Sequence, residues 1–158
     1  MSLGRFVFPV WILLGLLLGS SANADTNTGK IYTGFFSNLA LGGYDPVAYF
    51  PKGDVQGGPV KGKKTYSWEW QGAQWYFSSQ ENKELFQANP HKYAPEYGGH
   101  CAWAVGAKNS LVKGNPKYWT LKEGKLYLNY NRKVQKLWEQ DPDAFIEKGN
   151  KNWPGLNR

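Results

Sequence analysis

The feature that most constrains this chain is its single cysteine, Cys101. One cysteine in 158 residues excludes an intramolecular disulfide, although the compartment predicted below would allow one to form. The fold must therefore be stabilised by packing. Aromatic residues make up 16% of the chain, and each buried Trp or Tyr removes a large apolar area from water, so the composition meets this requirement.

Residues 1–24 have the composition of a signal peptide. One basic residue, Arg5, precedes an apolar run over residues 6–18, which is shorter than the about 20 residues that a membrane-spanning helix needs. Small residues at Ala22 and Ala24 provide a cleavage site. We therefore expect cleavage after Ala24 and a periplasmic or secreted protein with no stable transmembrane anchor. An uncleaved N-terminal anchor is the alternative.

The chain is basic, with a formal net charge of +7. This charge favours contact with anionic ligands or with an anionic envelope surface. The lysines are spread over predicted loops and helix faces and do not form one dense run, which argues against nucleic acid as a partner.

The residue patterns predict an α+β fold of small antiparallel β-hairpins packed with short helices. Residues 25–34 are polar, rich in Thr, Asn and Gly, and without periodicity, so we expect residues 25–40 to form a flexible leader. "TYSWEW" (65–70) alternates aromatic and polar residues, and "AQWYFS" (73–78) resumes the β character after Gly72. These two segments predict a hairpin.

Short helices are expected around and after this hairpin. Ser78 and Glu81 have the spacing of a capping box and predict a helix that starts there. Residues 42–50 favour a turn at an Asp-Pro pair that leads into a strand. We expect a further, glycine-initiated helix from about Gly99 to Val105.

The last third of the chain predicts a second hairpin and two helices. "YWTL" (118–121) and "KLYLNY" (125–130) form the hairpin. Asn131 and Asp141 are residue types that cap the N-termini of helices. We expect residues 106–158 to pack as a C-terminal extension on the same domain.

The succession of "GYDPVAYF", "YSWEWQGAQWYFSSQENKELFQANPHKY" and "YGGHCAW" closely resembles the YHS domain family in its exported single-domain form. The resemblance extends over roughly residues 41–105. It implies a treble-clef-like core, related to metal-binding modules, with the C-terminal hairpin and helices as an extension seen in exported members.

The metal-binding members of the family carry cysteines at three positions, which by this resemblance correspond to Ala48, Ser78 and Asn82. Alanine has no ligating atom, and Ser and Asn oxygens bind poorly to the soft ions that select thiolates. The resemblance therefore implies that the zinc-type or copper-type cluster of those members is missing here.

Tyr44, Asp45, His100 and Cys101 are the candidate ligand-binding residues, because they keep the pattern of the exported members. A thiolate and an imidazole suit a copper or zinc ion, and Asp45 or His91 would complete the ligand set of Cys101 and His100. Adjacent helical residues point about 100° apart, so the backbone would have to turn at the preceding glycines. The alternative is that Cys101 is a small buried side chain that packs under the tryptophans.

We expect a non-catalytic binding or accessory role linked to metal or small-ligand handling, with a metal ion or a small ligand as the partner. Two alternatives stay open. One is a thiol-dependent enzyme with Cys101 as nucleophile, which needs a base that the sequence does not reveal. The other is an envelope interaction domain that has no small-molecule site.

Overall fold

The structure is a computed structural model that describes residues 30–158. The predicted signal peptide, residues 1–24, lies outside the described residues. Among the helices of residues 30–158, none is both long enough and apolar enough to cross a membrane.

The fold combines two antiparallel two-stranded sheets with short helices, which confirms the α+β class. The strands are β1 (Lys63–Trp70), β2 (Ala73–Phe77), β3 (Asn115–Lys122) and β4 (Lys125–Asn129). The α-helices are α1 (Gln80–Ala88), α2 (Pro90–Tyr93), α3 (Ala102–Lys108), α4 (Arg132–Trp138) and α5 (Pro142–Leu156). Short 3-10 helices are formed by Leu41–Gly43, Val47–Tyr49 and Glu96–Gly99. The treble-clef relationship stays a prediction.

Both predicted hairpins are confirmed, and their turns have the same geometry. Gln71 and Gly72 join β1 to β2 with φ values of 48° and 70°, and Glu123 and Gly124 join β3 to β4 with 52° and 72°. Positive φ at both central residues is characteristic of a type I′ turn, whose twist matches that of the flanking strands. A glycine at the second position of each turn adopts this conformation without strain.

Strand β2 provides the centre of the first hydrophobic cluster. Its alternate residues Ala73, Trp75 and Phe77 are buried. Phe86 of α1 packs on them, with its ring centroid 4.9 Å from that of Trp75 and 5.2 Å from that of Phe77. The first hairpin and α1 therefore form one packed unit.

Strand β4 is buried on both faces and contributes to two hydrophobic clusters. Leu126 and Leu128 belong to the first cluster, whereas Tyr127 packs in a second one with Trp138 of α4 and Trp153 of α5. Strand β4 therefore connects the hydrophobic cluster of the first hairpin to the cluster formed with α4 and α5.

Residues 42–50 do not form the predicted strand. The Asp-Pro turn is present, but the chain continues into the 3-10 helix Val47–Tyr49. Pro46 has a φ of −66°, and the carboxylate of Asp45 accepts a hydrogen bond from the backbone N–H two residues later. Both features favour a turn over an extended strand.

The described part of the predicted leader, residues 30–40, is bonded to the rest of the fold. The backbone N–H of Tyr32 donates to the Gly98 carbonyl at 2.8 Å, and that of Ala40 donates to the Gln74 carbonyl at 2.9 Å. The bonds are made by the backbone, so the side-chain composition of this segment gives no sign of them.

Helix α3 begins at Ala102 and not at Gly99. Gly98 and Gly99 have φ values of 60° and 83°, which no right-handed helix contains, and they end the 3-10 helix Glu96–Gly99. The paired glycines therefore turn the chain before α3 and do not initiate it.

Candidate functional site

Asp45 is fully buried and lies at the centre of a polar cluster. Its Oδ1 accepts the Val47 backbone N–H at 2.9 Å. Its Oδ2 accepts the Ser78 backbone N–H at 2.7 Å, the Ser78 hydroxyl at 2.6 Å and the Asn82 side-chain amide at 2.7 Å. Burying a carboxylate is costly unless donors replace its water. These donors stabilise it and join the turn at Val47 to the end of β2 and the first turn of α1. We call Asp45, Ser78 and Asn82 the Asp45 cluster.

Ser78 belongs to this cluster and does not cap α1 as predicted. The N-cap is Ser79, whose hydroxyl accepts the Asn82 backbone N–H at 3.1 Å. The Ser78 hydroxyl donates to Asp45 and accepts from the Asn82 side-chain amide at 3.2 Å. The two adjacent serines are equivalent by residue type, and the direction in which the chain leaves β2 decides which of them caps the helix.

The residues at this position do not fit the zinc or copper ion that the metal-binding members of the family hold, in agreement with the missing cysteines. Ala48 has no ligating atom, and the Asn82 amide nitrogen and the Ser78 hydroxyl are both engaged as donors to Asp45. In residues 30–158, no group of three or more His, Cys, Asp or Glu side chains is arranged to hold a metal ion. Hydrogen bonds centred on a carboxylate join these elements instead.

Cys101 is buried at the start of α3, with 1% of its surface exposed. Its Sγ lies 3.7 Å from Oδ1 of Asn129, and the same oxygen accepts the Trp103 backbone N–H at 3.2 Å. Burial raises the pKa of the Cys101 thiol above its usual value. A thiol that is both inaccessible and protonated is a poor nucleophile and a poor metal ligand, so these properties favour the packed interpretation.

His100 has partners different from those of Cys101. Its Nδ1–H donates to the Tyr97 carbonyl at 2.9 Å, because a carbonyl oxygen can only accept. Its ring packs against Tyr32 and Trp153, with centroid distances of 5.4 Å and 5.9 Å. Burial lowers the pKa of the His100 imidazole. The ring is therefore a neutral packing element at neutral pH.

The four predicted ligand-binding residues are not brought together. Asp45 lies in its own cluster, and the ring of Tyr44 packs under the Lys61 ammonium, 4.1 Å from the ring centroid. His100 and Cys101 contact other parts of the core. The predicted metal set of Asp45, His100 and Cys101 thus has no shared centre among the described residues.

A cavity of about 530 Å³ lies between the loop of residues 51–60 and helix α1. We call it the α1 cavity. Its wall includes Ala48 and Asn82, so it adjoins the Asp45 cluster. Most of the remaining lining is apolar, and Leu85 and Tyr93 belong to it. Its charged lining residues are Lys52, Glu81 and Lys92. Cavities of about 300–1,000 Å³ with mainly apolar walls and a few polar groups are typical of small-molecule sites.

The α1 cavity was not predicted from the sequence, because residues 51–64 have the Gly, Pro and Lys content of an ordinary surface loop. One signal was present in that segment. A Cβ atom at Gly57 would collide with the carbonyl oxygen of Tyr49, so the loop packs closely on the 3-10 helix Val47–Tyr49. Gly57 therefore marks a close approach of two backbones, next to Val47 and Ala48 of the cavity wall.

Residues 54–97 match the family model of the YHS domain. The match confirms the resemblance for the segment that contains the first hairpin, α1 and α2. It includes Ser78 and Asn82, whereas Asp45, His100 and Cys101 lie outside it. Searches of curated proteins and of solved structures found no match.

Proposed function

We propose that this protein is an exported, non-catalytic binding protein that holds a small, largely apolar ligand in the α1 cavity. Export follows from the composition of residues 1–24, which is that of a signal peptide. Binding follows from the cavity beside the YHS-matched hairpin and α1. The role is that of a carrier or accessory domain for a small molecule.

The observation that carries this proposal is the position of the cavity relative to Ala48 and Asn82. Both residues stand where the family resemblance places cysteines, and both line the cavity. Replacement of a cysteine by alanine removes a ligand for metal and leaves a methyl group on the wall. The Asp45 cluster keeps the surrounding elements together without a metal, so the cavity is available to an organic molecule.

The lining chemistry argues for binding and against catalysis. Among the described residues that line the cavity there is no Ser, Thr, Cys or His. The one cysteine of the chain is buried elsewhere, next to Asn129. Nucleophilic catalysis by a hydroxyl or thiol of Ser, Thr or Cys needs that side chain in the site, and the described lining has none.

The proposal is tested by titrating the protein with phenylnaphthylamine, a neutral apolar probe whose fluorescence rises on burial. The Ala48→Phe variant fills the cavity from its wall and should weaken binding by about tenfold or more, because a bulky ring displaces the probe. Ala107→Phe is the matched control, since Ala107 is exposed on α3 and does not line the cavity. It should bind the probe as the unmodified protein does.

A second variant keeps the test valid if Ala48→Phe folds poorly. Val55 lines the cavity from the loop and is 70% exposed, so Val55→Asp adds a charge without disturbing the core. It should also weaken the binding of the probe. Equal affinity in the unmodified protein and in both cavity variants would overturn the proposal.

A further inference from the structure

We infer that the ligand of the α1 cavity is an organic anion, with an apolar body and one negatively charged group that pairs with Lys92. This inference rests on the proposed function and names the chemical class of the ligand.

The charged residues of the cavity wall carry an excess of one positive charge. Lys52 and Lys92 are cationic and Glu81 is anionic. Lys52 and Glu81 form an ion pair with each other across the loop and α1, so their charges largely cancel. Lys92 remains as the cation of the wall.

Lys92 is held by an aromatic ring and not by a carboxylate. Its ammonium lies 5.0 Å from the centroid of the Tyr93 ring, a cation–π contact. In the described part of the chain, no carboxylate lies within ion-pair distance of this ammonium. The ring orients the cation but leaves its charge available to an anion.

The same ring forms part of the apolar wall. Tyr93 packs edge-on against Phe50, with a centroid distance of 5.1 Å, and both residues line the cavity together with Leu85. A ligand in contact with these side chains therefore has its charged end next to Lys92 and its apolar body on Phe50 and Leu85. A cationic ligand would place its positive charge near the same ammonium, which is unfavourable.

Two probes of nearly the same shape separate charge from apolar contact. Anilinonaphthalene sulfonate carries a sulfonate, and phenylnaphthylamine has the same ring system without it. We expect the anionic probe to bind about tenfold more tightly, since a charge-assisted contact adds to the same apolar burial. Lys92→Gln should remove most of this preference, because the affinity for the anionic probe should fall far more than the affinity for phenylnaphthylamine.

The matched control is Lys108→Gln. Lys108 also has its ammonium over an aromatic ring, 5.4 Å from the Trp103 centroid, but it does not line the cavity. This variant loses the same unit of charge and a similar cation–π contact. It should keep the full preference for the anionic probe.

The outcomes distinguish the inference from the proposed function. If both probes bind, lose affinity in Ala48→Phe and show no difference between them, the cavity is a ligand site and the inference is wrong. An equal loss of preference in Lys92→Gln and Lys108→Gln would also overturn the inference, because the effect would then come from overall charge. If neither Ala48→Phe nor Val55→Asp changes the binding of either probe, the proposed function itself fails.

Discussion

The Ser78 hydroxyl donates a 2.6 Å hydrogen bond to Oδ2 of the buried Asp45 carboxylate. This bond connects the end of β2 to the turn that begins at Asp45, and the Asn82 amide adds α1 to the same oxygen. The wall of the α1 cavity includes residues of that turn and of α1. The Asp45 cluster therefore fixes the elements that shape the proposed ligand site.

Asp45→Asn should lower the free energy of unfolding by about 2–4 kcal/mol. The side chain of Asn has one oxygen and one NH₂ group, so the NH₂ group would face the N–H of either Val47 or Ser78. That N–H would then have no acceptor. The measurement is urea unfolding at neutral pH. Asp141→Asn is the matched control, because Asp141 is an exposed N-cap of α5 and Asn caps helices equally well. The account of the cluster is wrong if both variants have the stability of the unmodified protein.

Removal of divalent metal should leave the stability of the protein unchanged. Hydrogen bonds to Asp45 hold together the turn at Val47, the end of β2 and the start of α1, so no metal is needed to join them. Thermal unfolding with and without a chelator checks this, with added zinc as the complementary arm. A large fall in the unfolding temperature with the chelator, restored by zinc, would show that a metal site contributes to folding.

The Cys101 thiol should react slowly with alkylating reagents at neutral pH, and denaturant should accelerate the reaction strongly. Burial both shields the sulfur and raises its pKa, so the thiolate is scarce and inaccessible in the folded protein. Mass spectrometry of timed samples measures the labelling rate. Rapid stoichiometric labelling without denaturant would instead support the thiol-enzyme alternative.

The stability of the protein should fall as the pH drops below about 6.5, the ordinary pKa of histidine. Burial lowers the folded-state pKa of His100, so the unfolded state takes up a proton first as the pH falls. The contribution of His100 is therefore complete above the unfolded pKa. Between the unfolded-state pKa and the folded-state pKa, the free energy of unfolding falls by up to about 1.4 kcal/mol for each pH unit.

Urea unfolding at a series of pH values between neutral and mildly acidic checks this dependence. His100→Gln, which cannot titrate, should have a smaller slope over the same range. An unchanged slope in this variant would assign the pH dependence to other groups.

The two hairpins and the caps of α4 and α5 were predictable from the sequence, because each depends on residues close together in the chain. Gly72 and Gly124 occupy turn positions with positive φ, and Asn131 and Asp141 accept the N–H groups of Val134 and Ala144 as helix caps do. Local chemistry decides these features, so local patterns identify them.

The site was less predictable, because it depends on contacts between distant segments. Asp45 was identified as a candidate, but its partners Ser78 and Asn82 lie 33 and 37 positions away. Their hydrogen bonds follow from how the turn packs against β2 and α1. The separate surroundings of His100 and Cys101 likewise depend on Trp153 and Asn129, which lie far from them in the chain.

The central claim is that a small apolar molecule binds in the α1 cavity, beside Asn82 and away from Cys101. Chemical-shift mapping on isotope-labelled protein during titration with phenylnaphthylamine tests it most directly. The account predicts shifts of the backbone amides of Gly57, Asn82 and Tyr93, with those of His100 and Cys101 unmoved. Shifts centred on His100 and Cys101, or no saturable shifts at all, would contradict it.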